Sequence, residues 1–237
     1  MRCCVYVRNG FFVATFLAAM MVSHVALGGI IAYEIPSPVV GNQAFGNGLG
    51  HDFDVNATPI LVTHLGVFDE LANGITAGTT LGTQIWARNN NGTPVDPFDD
   101  SGGAMLASMT FTNADPGVLI GSQRFKPLPV PLLLSQGSYT VNSDGYNATD
   151  QNGNDGGVGS FPSIQNDGGG LITFVGAARF GAGVMQFPGS VDSGPTNRYG
   201  GPTFQFDPIP EPSSLLLALA GLLALAALGA RQFRQTR

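Results

Sequence analysis

Hydrophobic residues recur at every second position along several short segments of the chain, and this period is typical of half-buried β-strands. The clearest case is segment 105–112, where one face is apolar and the other is mostly serine and threonine. Clusters of Gly, Asn, Asp and Pro separate such segments and predict turns. The residues expected to share the buried face of segment 105–112 are Met105, Ala107, Met109 and Phe111. Further strands are expected at 60–68, 81–88, 137–142, 171–175 and 203–206, and about eight strands fit in all.

This pattern therefore predicts that residues 33–207 form an all-β ectodomain. The expected fold is an antiparallel β-sandwich with jelly-roll-like connections. No stretch in this interval has the 3.6-residue period of a long amphipathic helix, so a parallel sheet with crossover helices is not expected. Segment 125–134 contains Pro127, Pro129 and Pro131, which cannot donate ladder hydrogen bonds. We expect this segment at the edge of a sheet.

Residues 1–32 predict a secretory signal peptide. Arg2 and Arg8 precede an apolar run at 11–22, and small residues follow at Ala26 and Gly28. Passage through the secretory translocon and cleavage by signal peptidase near residue 28 or residue 32 are expected. Because apolar residues continue to residue 32, an uncleaved membrane anchor is the alternative.

The C-terminal end predicts a transmembrane helix at 213–230. These 18 residues carry no charge, and a helix of that length spans roughly 27 Å, close to the thickness of a hydrocarbon core. Arg231, Arg234 and Arg237 follow at once, and the positive-inside rule places them in the cytoplasm. The chain before the helix then lies on the far side of the inner membrane from the cytoplasm, in agreement with the N-terminal signal.

Pro210, Glu211 and Pro212 stand directly before this helix, and the order of triplet, apolar helix and arginine-rich end resembles the PEP-CTERM family of sorting signals. The resemblance covers 210–237, within a sorting region at 208–237. It implies that the triplet is a substrate of an exosortase-type membrane protease, which cuts near it and releases or transfers the ectodomain to the cell surface or the medium. Segment 41–70 more loosely resembles the opening of other PEP-CTERM ectodomains, most of which have no assigned function.

The charge distribution narrows the range of partners. Between Glu34 and Glu211 the chain has sixteen acidic residues and only five basic ones, which leaves this interval at about −11. Such a field repels phosphate backbones and anionic headgroups, so nucleic acid is not an expected partner. Both cysteines, Cys3 and Cys4, precede the first apolar run, so the mature domain is expected to have no disulfide.

One strand offers a candidate site for carbohydrate. Trp86 alternates with Gln84 and Arg88 along the same face of segment 81–88, and an aromatic ring beside hydrogen-bond donors suits stacking against a pyranose. Exopolysaccharide would then be the partner. The alternative is that Trp86 fills the core, as large aromatic side chains usually do.

A second candidate is a calcium site, the one cofactor that the sequence suggests. The loop that begins at residue 150 offers hard oxygen ligands and starts like an EF-hand. It departs from that pattern, with an aspartate where the turn glycine belongs and Phe161 where the closing glutamate would be. The alternative is a set of tight turns, which Asn, Asp and Gly also form. The candidate ligands are Asp150, Asn152, Asn154 and Asp155.

Enzymatic activity is not expected. The interval contains no Gly-x-Ser-x-Gly motif, and its histidines are His51 and His64. His64 falls on the face of Ile60 and Val62, where a packing histidine is the expectation. The sequence thus predicts a non-enzymatic surface or matrix protein, with no catalytic residue assigned. A carbohydrate-binding module of the exopolysaccharide layer is the alternative, and a calcium-dependent adhesin or a hydrolase is the third hypothesis.

Overall fold

The computed structural model of the protein describes residues 29–93, 96–155, 163–181, 183–209 and 218–223. The described part is nearly all β, in antiparallel sheets, which confirms the predicted fold class at that level. One short 3-10 helix, η1, spans Glu70–Ala72. The strands are β1 (Ile30–Ile31), β2 (Tyr33–Glu34), β3 (Gly48–Val55), β4 (Ile60–Phe68), β5 (Thr80–Asn89), β6 (Ser101–Thr112), β7 (Val118–Ile120), β8 (Gln123–Leu134), β9 (Gly137–Asp144), β10 (Ile164–Gln165), β11 (Ile172–Gly181), β12 (Ser190–Asp192) and β13 (Pro202–Pro208).

Two large sheets make up most of the domain. One has five strands in the order β1-β13-β4-β8-β7, and the other has six in the order β12-β11-β3-β9-β5-β6. Strands β10 and β2 form a separate pair. The predicted strand at 60–68 coincides with β4, and the other predicted strands lie within longer observed ones or, at 171–175, overlap one. Jelly-roll-like connectivity stays a prediction.

The two sheets pack face to face through apolar side chains. Phe53 of β3 lies against Phe204 of β13, with ring centroids 4.8 Å apart, and both side chains are fully buried. The Thr83 hydroxyl of β5 donates a hydrogen bond of 2.9 Å to the carbonyl of Gly66 on β4 and so joins the sheets. A Cβ at Gly66 would lie 2.6 Å from a methyl group of Thr203, so only glycine allows this approach.

A β-bulge overturns one detail of the predicted pattern. Ile85 pairs with Ala107 whereas Trp86 pairs with Met105, so Leu106 is an extra residue in β6. Because successive side chains alternate across a strand, the bulge moves Met105 to the face opposite Ala107. Met105 is 43% exposed, whereas Phe111 is fully buried. The prediction that Met105 shares their face is therefore wrong.

A second bulge has the same effect on His64. Val62 pairs with Phe206 and His64 with Gln205, so Thr63 is the extra residue in β4. Val62 and Leu65 then point into the core, while His64 is only half-buried and its Nδ1 lies 3.0 Å from the Thr63 hydroxyl. The expected placement of His64 on the face of Val62 is wrong.

The proline-rich strand β8 lies where the sequence predicts. Its neighbour β7 pairs only with residues 123–125, so the rest of β8 follows the sheet edge in the part of the chain that the structure describes. Its ladder with β4 is interrupted between Pro127 and Leu132. The prolines remove the N–H donors that a regular ladder needs.

The packing histidine of the core is His51 rather than His64. Its ring stacks on Tyr33 with centroids 4.7 Å apart, and its Nε2 donates to the carbonyl of Tyr199. Burial lowers the pKa of His51 to about 4, although the hydrogen bond to Tyr199 opposes the shift. The folded protein therefore holds this imidazole neutral.

We predict that the protein loses stability as the pH falls from about 6.5 to about 4. The unfolded chain protonates this histidine near pH 6.5 and the folded one only near 4, so its contribution is complete above 6.5 and is lost below. The loss expected from this group is about 3 kcal/mol. Urea unfolding between pH 7 and pH 4 measures it. His51→Gln, which keeps a donor for Tyr199, should flatten the profile, and His64→Gln should retain most of it; equal profiles for both variants would contradict the assignment.

Candidate functional site

A layer of charged side chains is buried on the outer face of the six-stranded sheet, the face turned away from the five-stranded sheet. Asp52 of β3 accepts hydrogen bonds of 2.8 and 2.7 Å from Nε of Arg179 on β11. Arg179 also reaches Asp100 at 3.0 Å, and Arg88 of β5 binds Asp100 and, at 2.6 Å, Asp54. The side chains of Asp52, Asp100 and Arg179 are fully buried. Two guanidinium groups thus bind the buried carboxylates of Asp52 and Asp100 and the partly exposed carboxylate of Asp54.

Burial and the neighbouring charges act in opposite directions on the pKa of the central acid of this layer. Burial raises the pKa of the Asp52 carboxyl group, while Arg179, Arg88 and the Thr140 hydroxyl act in the opposite direction. Carboxylate and guanidinium both lose hydration here, and their attraction must offset that cost. Removing one partner would leave the other charge buried without compensation.

A second polar cluster adjoins the charged layer on the same face. Asn142 of β9 donates a hydrogen bond of 2.6 Å to the side-chain carbonyl of Gln84, whose amide donates to Asp144 at 3.0 Å. The backbone N–H of Met185 also donates to Asp144, at 2.8 Å. Burial raises the pKa of Asp144, and these two donors oppose the shift. All three side chains of the cluster belong to buried residues.

Residues 183–189, which we call the cover segment, lie over both clusters between β11 and β12. Phe187 of this segment has its ring centroid 5.3 Å from the Arg179 guanidinium and 6.2 Å from the ring of Trp86. A Cβ at Gly102 would collide with Phe187, and one at Gly50 would lie 3.2 Å from Pro188. Glycines on the sheet thus make room for the cover segment.

The predicted carbohydrate site lies on the face of the sheet that carries the cover segment. Trp86, Gln84 and Arg88 all lie on the outer face, but Gln84 and Arg88 are buried in the two polar clusters. Trp86 is half-buried, and its Nε1 is buried without a hydrogen-bond partner. The donors expected to surround a sugar are thus engaged within the protein, and stacking of carbohydrate on Trp86 stays a prediction.

The predicted calcium ligands are engaged by different parts of the protein. Asp150 accepts a backbone hydrogen bond from the loop after η1, and Asn152 binds the side chain of a residue before β3. Asn154 and Asp155 both contact Arg198. Among the described residues, no group of three or more His, Cys, Asp or Glu side chains is placed to hold a metal ion, so calcium binding by this loop stays a prediction. The distances are 3.0 Å from Thr76 N to Asp150 Oδ1, 2.9 Å from Asn152 Nδ2 to Gln43 Oε1 and 2.7 Å from Arg198 Nε to Asn154 Oδ1.

An open depression of about 400 Å³ lies between the loop before β6 and the hairpin of β11 and β12. Phe98, which is 70% exposed, and Asp192 line it. Burial acts to raise the pKa of Asp192, but hydrogen bonds from Tyr199 and the Gly194 N–H, together with the Arg198 charge, hold it below its ordinary value. This carboxylate is therefore an ionised structural acceptor.

The charged layer was not predicted as a unit, although the sequence held a signal for it. Asp52 and Asp54 alternate with the buried Phe53, which shows that two carboxylates share one face of a strand. Their cationic partners come from β5 and β11, far away in sequence. Only the pairing of the strands brings them together.

The predicted sorting triplet follows the last strand closely. Strand β13 ends at Pro208, and Ile209 is the one residue between it and Pro210. The triplet itself lies outside the described residues, as do residues 1–28 of the predicted signal peptide and most of the predicted helix at 213–230. Residues 218–223 are helical. Within the described residues no helix has the length and apolar character needed to cross a membrane.

A family model described as the PEP-CTERM protein-sorting motif matches residues 208–235. This match confirms the predicted resemblance and implies export, processing by an exosortase and delivery to the cell surface. No curated protein and no solved structure is significantly similar to the chain.

We predict that Arg179→Met destabilises the domain by about 3–5 kcal/mol, because it leaves Asp52 buried without its closest cation. The free energy of unfolding in urea, at neutral pH, measures the loss. Lys126→Met is the matched control, since Lys126 pairs with Asp115, which is 69% exposed. The control should cost no more than about 1 kcal/mol. Equal losses for the two variants would show that the buried ion pair stabilises the domain no more than the exposed one does.

Proposed function

We propose that this chain, which carries the PEP-CTERM protein-sorting motif, is an exported, non-enzymatic protein of the cell surface or extracellular matrix. Its signal peptide directs it through the secretory translocon, and its C-terminal helix holds it in the inner membrane. An exosortase-type protease then cuts it near the triplet and leaves a β-sandwich ectodomain at the surface. The observation that carries the proposal is the match of the sorting motif to residues 208–235.

The position of the motif relative to the fold supports its role as a substrate. Pro210 and Pro212 have no N–H to donate, so the triplet offers few backbone donors to a β-ladder. Glu211 offers one carboxylate between them as a recognition group. Because a single residue separates Pro208 from Pro210, a protease acting at the triplet works directly beside the folded domain.

The state of the buried acids supports a non-enzymatic role. A catalytic acid or base must reach a substrate and change its protonation during the reaction. Asp52, Asp100 and Asp144 instead bind side chains or backbone groups of their own domain. His51 lies inside the core with its Nε2 bound to a carbonyl. These groups serve the stability of the fold.

The ion pairs also define the surface that the ectodomain presents. All five basic residues of the interval between Glu34 and Glu211 are paired with aspartates. The remaining acids make the domain an anionic particle, which repels anionic polymers unless cations bridge the two. A role within the matrix would thus depend on neutral polymers or on dissolved cations. The five pairs include Arg88–Asp100, Arg124–Asp69, Lys126–Asp115, Arg179–Asp52 and Arg198–Asp192.

We predict that Glu211→Ala blocks C-terminal maturation. The substitution removes the only carboxylate of the triplet while both prolines stay. In a bacterium with a PEP-CTERM processing system, an immunoblot of cell envelope and medium should show the variant at its precursor size in the envelope.

Glu34→Ala is the matched control, because Glu34 lies in β2, inside the ectodomain. It should mature as the native chain does. Normal C-terminal processing of Glu211→Ala would contradict the proposed role of the triplet as a protease recognition motif.

A further inference from the structure

The first described residues of the chain are part of the core. Ile30 and Ile31 form β1, which pairs with β13 in the register Ile30 to Phe206 and Ile31 to Gln205. Ala32 is fully buried, and its N–H donates a hydrogen bond of 3.0 Å to the carbonyl of Phe204. The domain therefore begins before Tyr33, the first residue that the sequence pattern assigned to it.

The next residues are equally well fixed. The Tyr33 hydroxyl donates to the carbonyl of Asn197 at 2.8 Å, and the Tyr33 carbonyl accepts from the Thr203 hydroxyl at 2.6 Å. The N–H of Ile35 donates to the side chain of Gln123, and both residues are fully buried. Strands β8 and β13 and the loop before β13 thus hold this short segment in place.

Gly29 lies at the boundary of this packed segment. A Cβ at this position would lie 3.2 Å from the Cβ of Gln205 and 3.4 Å from the Thr63 hydroxyl. The backbone at residue 29 is therefore already against β13 and β4. Directly upstream, Ala26 and Gly28 are small residues separated by one position, the pattern that signal peptidase reads.

We infer that the amino-terminal signal is removed by hydrolysis of the Gly28–Gly29 peptide bond, so that the mature protein begins at Gly29 with β1 intact. Water supplies a hydroxyl group to the carbonyl carbon of Gly28 and a proton to the departing nitrogen of Gly29. The products are a signal fragment that ends in a carboxyl group and a domain that begins with an amine. This inference rests on the proposed export of the chain.

Cleavage after Ala32, the other site suggested by the sequence, conflicts with the packing. It would remove β1 and the buried Ala32, and it would convert the Tyr33 nitrogen into a charged ammonium group. That nitrogen lies in a residue that is 1% exposed, where its hydrogen-bond partner is the Thr203 hydroxyl at 3.4 Å. An isolated charge in such a site is strongly unfavourable.

If the chain is cut at the Gly28–Gly29 bond, the two ends of the mature domain lie close together. Because β1 runs antiparallel to β13, residue 29 lies near the end of β13 from which the sorting segment continues. The new amino terminus therefore emerges beside the segment that carries the triplet. Strand β1 also contributes to holding β13, the strand to which the sorting segment is attached.

N-terminal sequencing and intact-mass analysis of the full chain, expressed in a secretion-competent bacterium and recovered from envelope or medium, test the assignment. We expect the sequence to begin at Gly29. A product that begins at Tyr33, at Leu27 or at Met1 would overturn it.

Two substitutions next to the bond sharpen the test. Gly28→Leu places a large side chain at the residue before the bond and should abolish the Gly29-terminated product. Leu27→Phe alters the position between the two small residues and should leave that product unchanged. A Gly29 terminus from Gly28→Leu in native yield would overturn the assignment. The C-terminal end, read from the same mass, reports the sorting step separately, so failure of the proposed function and failure of this inference give different products.

Discussion

The buried ion pair between Asp52 and Arg179 is the constraint around which the outer half of the domain is arranged. Strand β3 is buried on both faces, with Phe53 in the apolar core and Asp52 on the opposite side. A carboxylate taken out of water needs a cation and further hydrogen-bond donors to offset the lost hydration. Arg179, Arg88 and Thr140 supply them from other strands of the same sheet. The register of four strands must therefore be correct before this charge is compensated.

The same constraint accounts for the cover segment that lies over the six-stranded sheet. The polar side chains of the outer face are shielded by the cover segment, which adds its own backbone donor at Met185 and the ring of Phe187. Glycines at positions 50 and 102 lower the surface of the sheet so that this segment can approach. The buried charged groups of this face are consequently engaged within the fold.

Strand β13 connects this particle to its sorting signal. It pairs with β4 on one side and with β1 on the other, and it ends one residue before the triplet. The proposed processing at either end of the chain would therefore take place next to the same strand. A domain whose two termini lie in one sheet can lose both flanking segments without losing core residues, provided that the amino-terminal cut precedes β1.

The sequence by itself determined the all-β class, the place of the proline-rich strand at a sheet edge and the sorting motif, because each depends on local chemistry: a two-residue period, missing N–H donors and a contiguous triplet. The sequence misplaced Met105 and His64, because the extra residues Leu106 and Thr63 put the side chains before and after each bulge on faces that a regular alternation does not predict. Only the tertiary structure decided these bulges, the partners of Asp52 and the burial of Gln84 and Arg88. Each arises from contacts between strands distant in sequence, which no local pattern encodes.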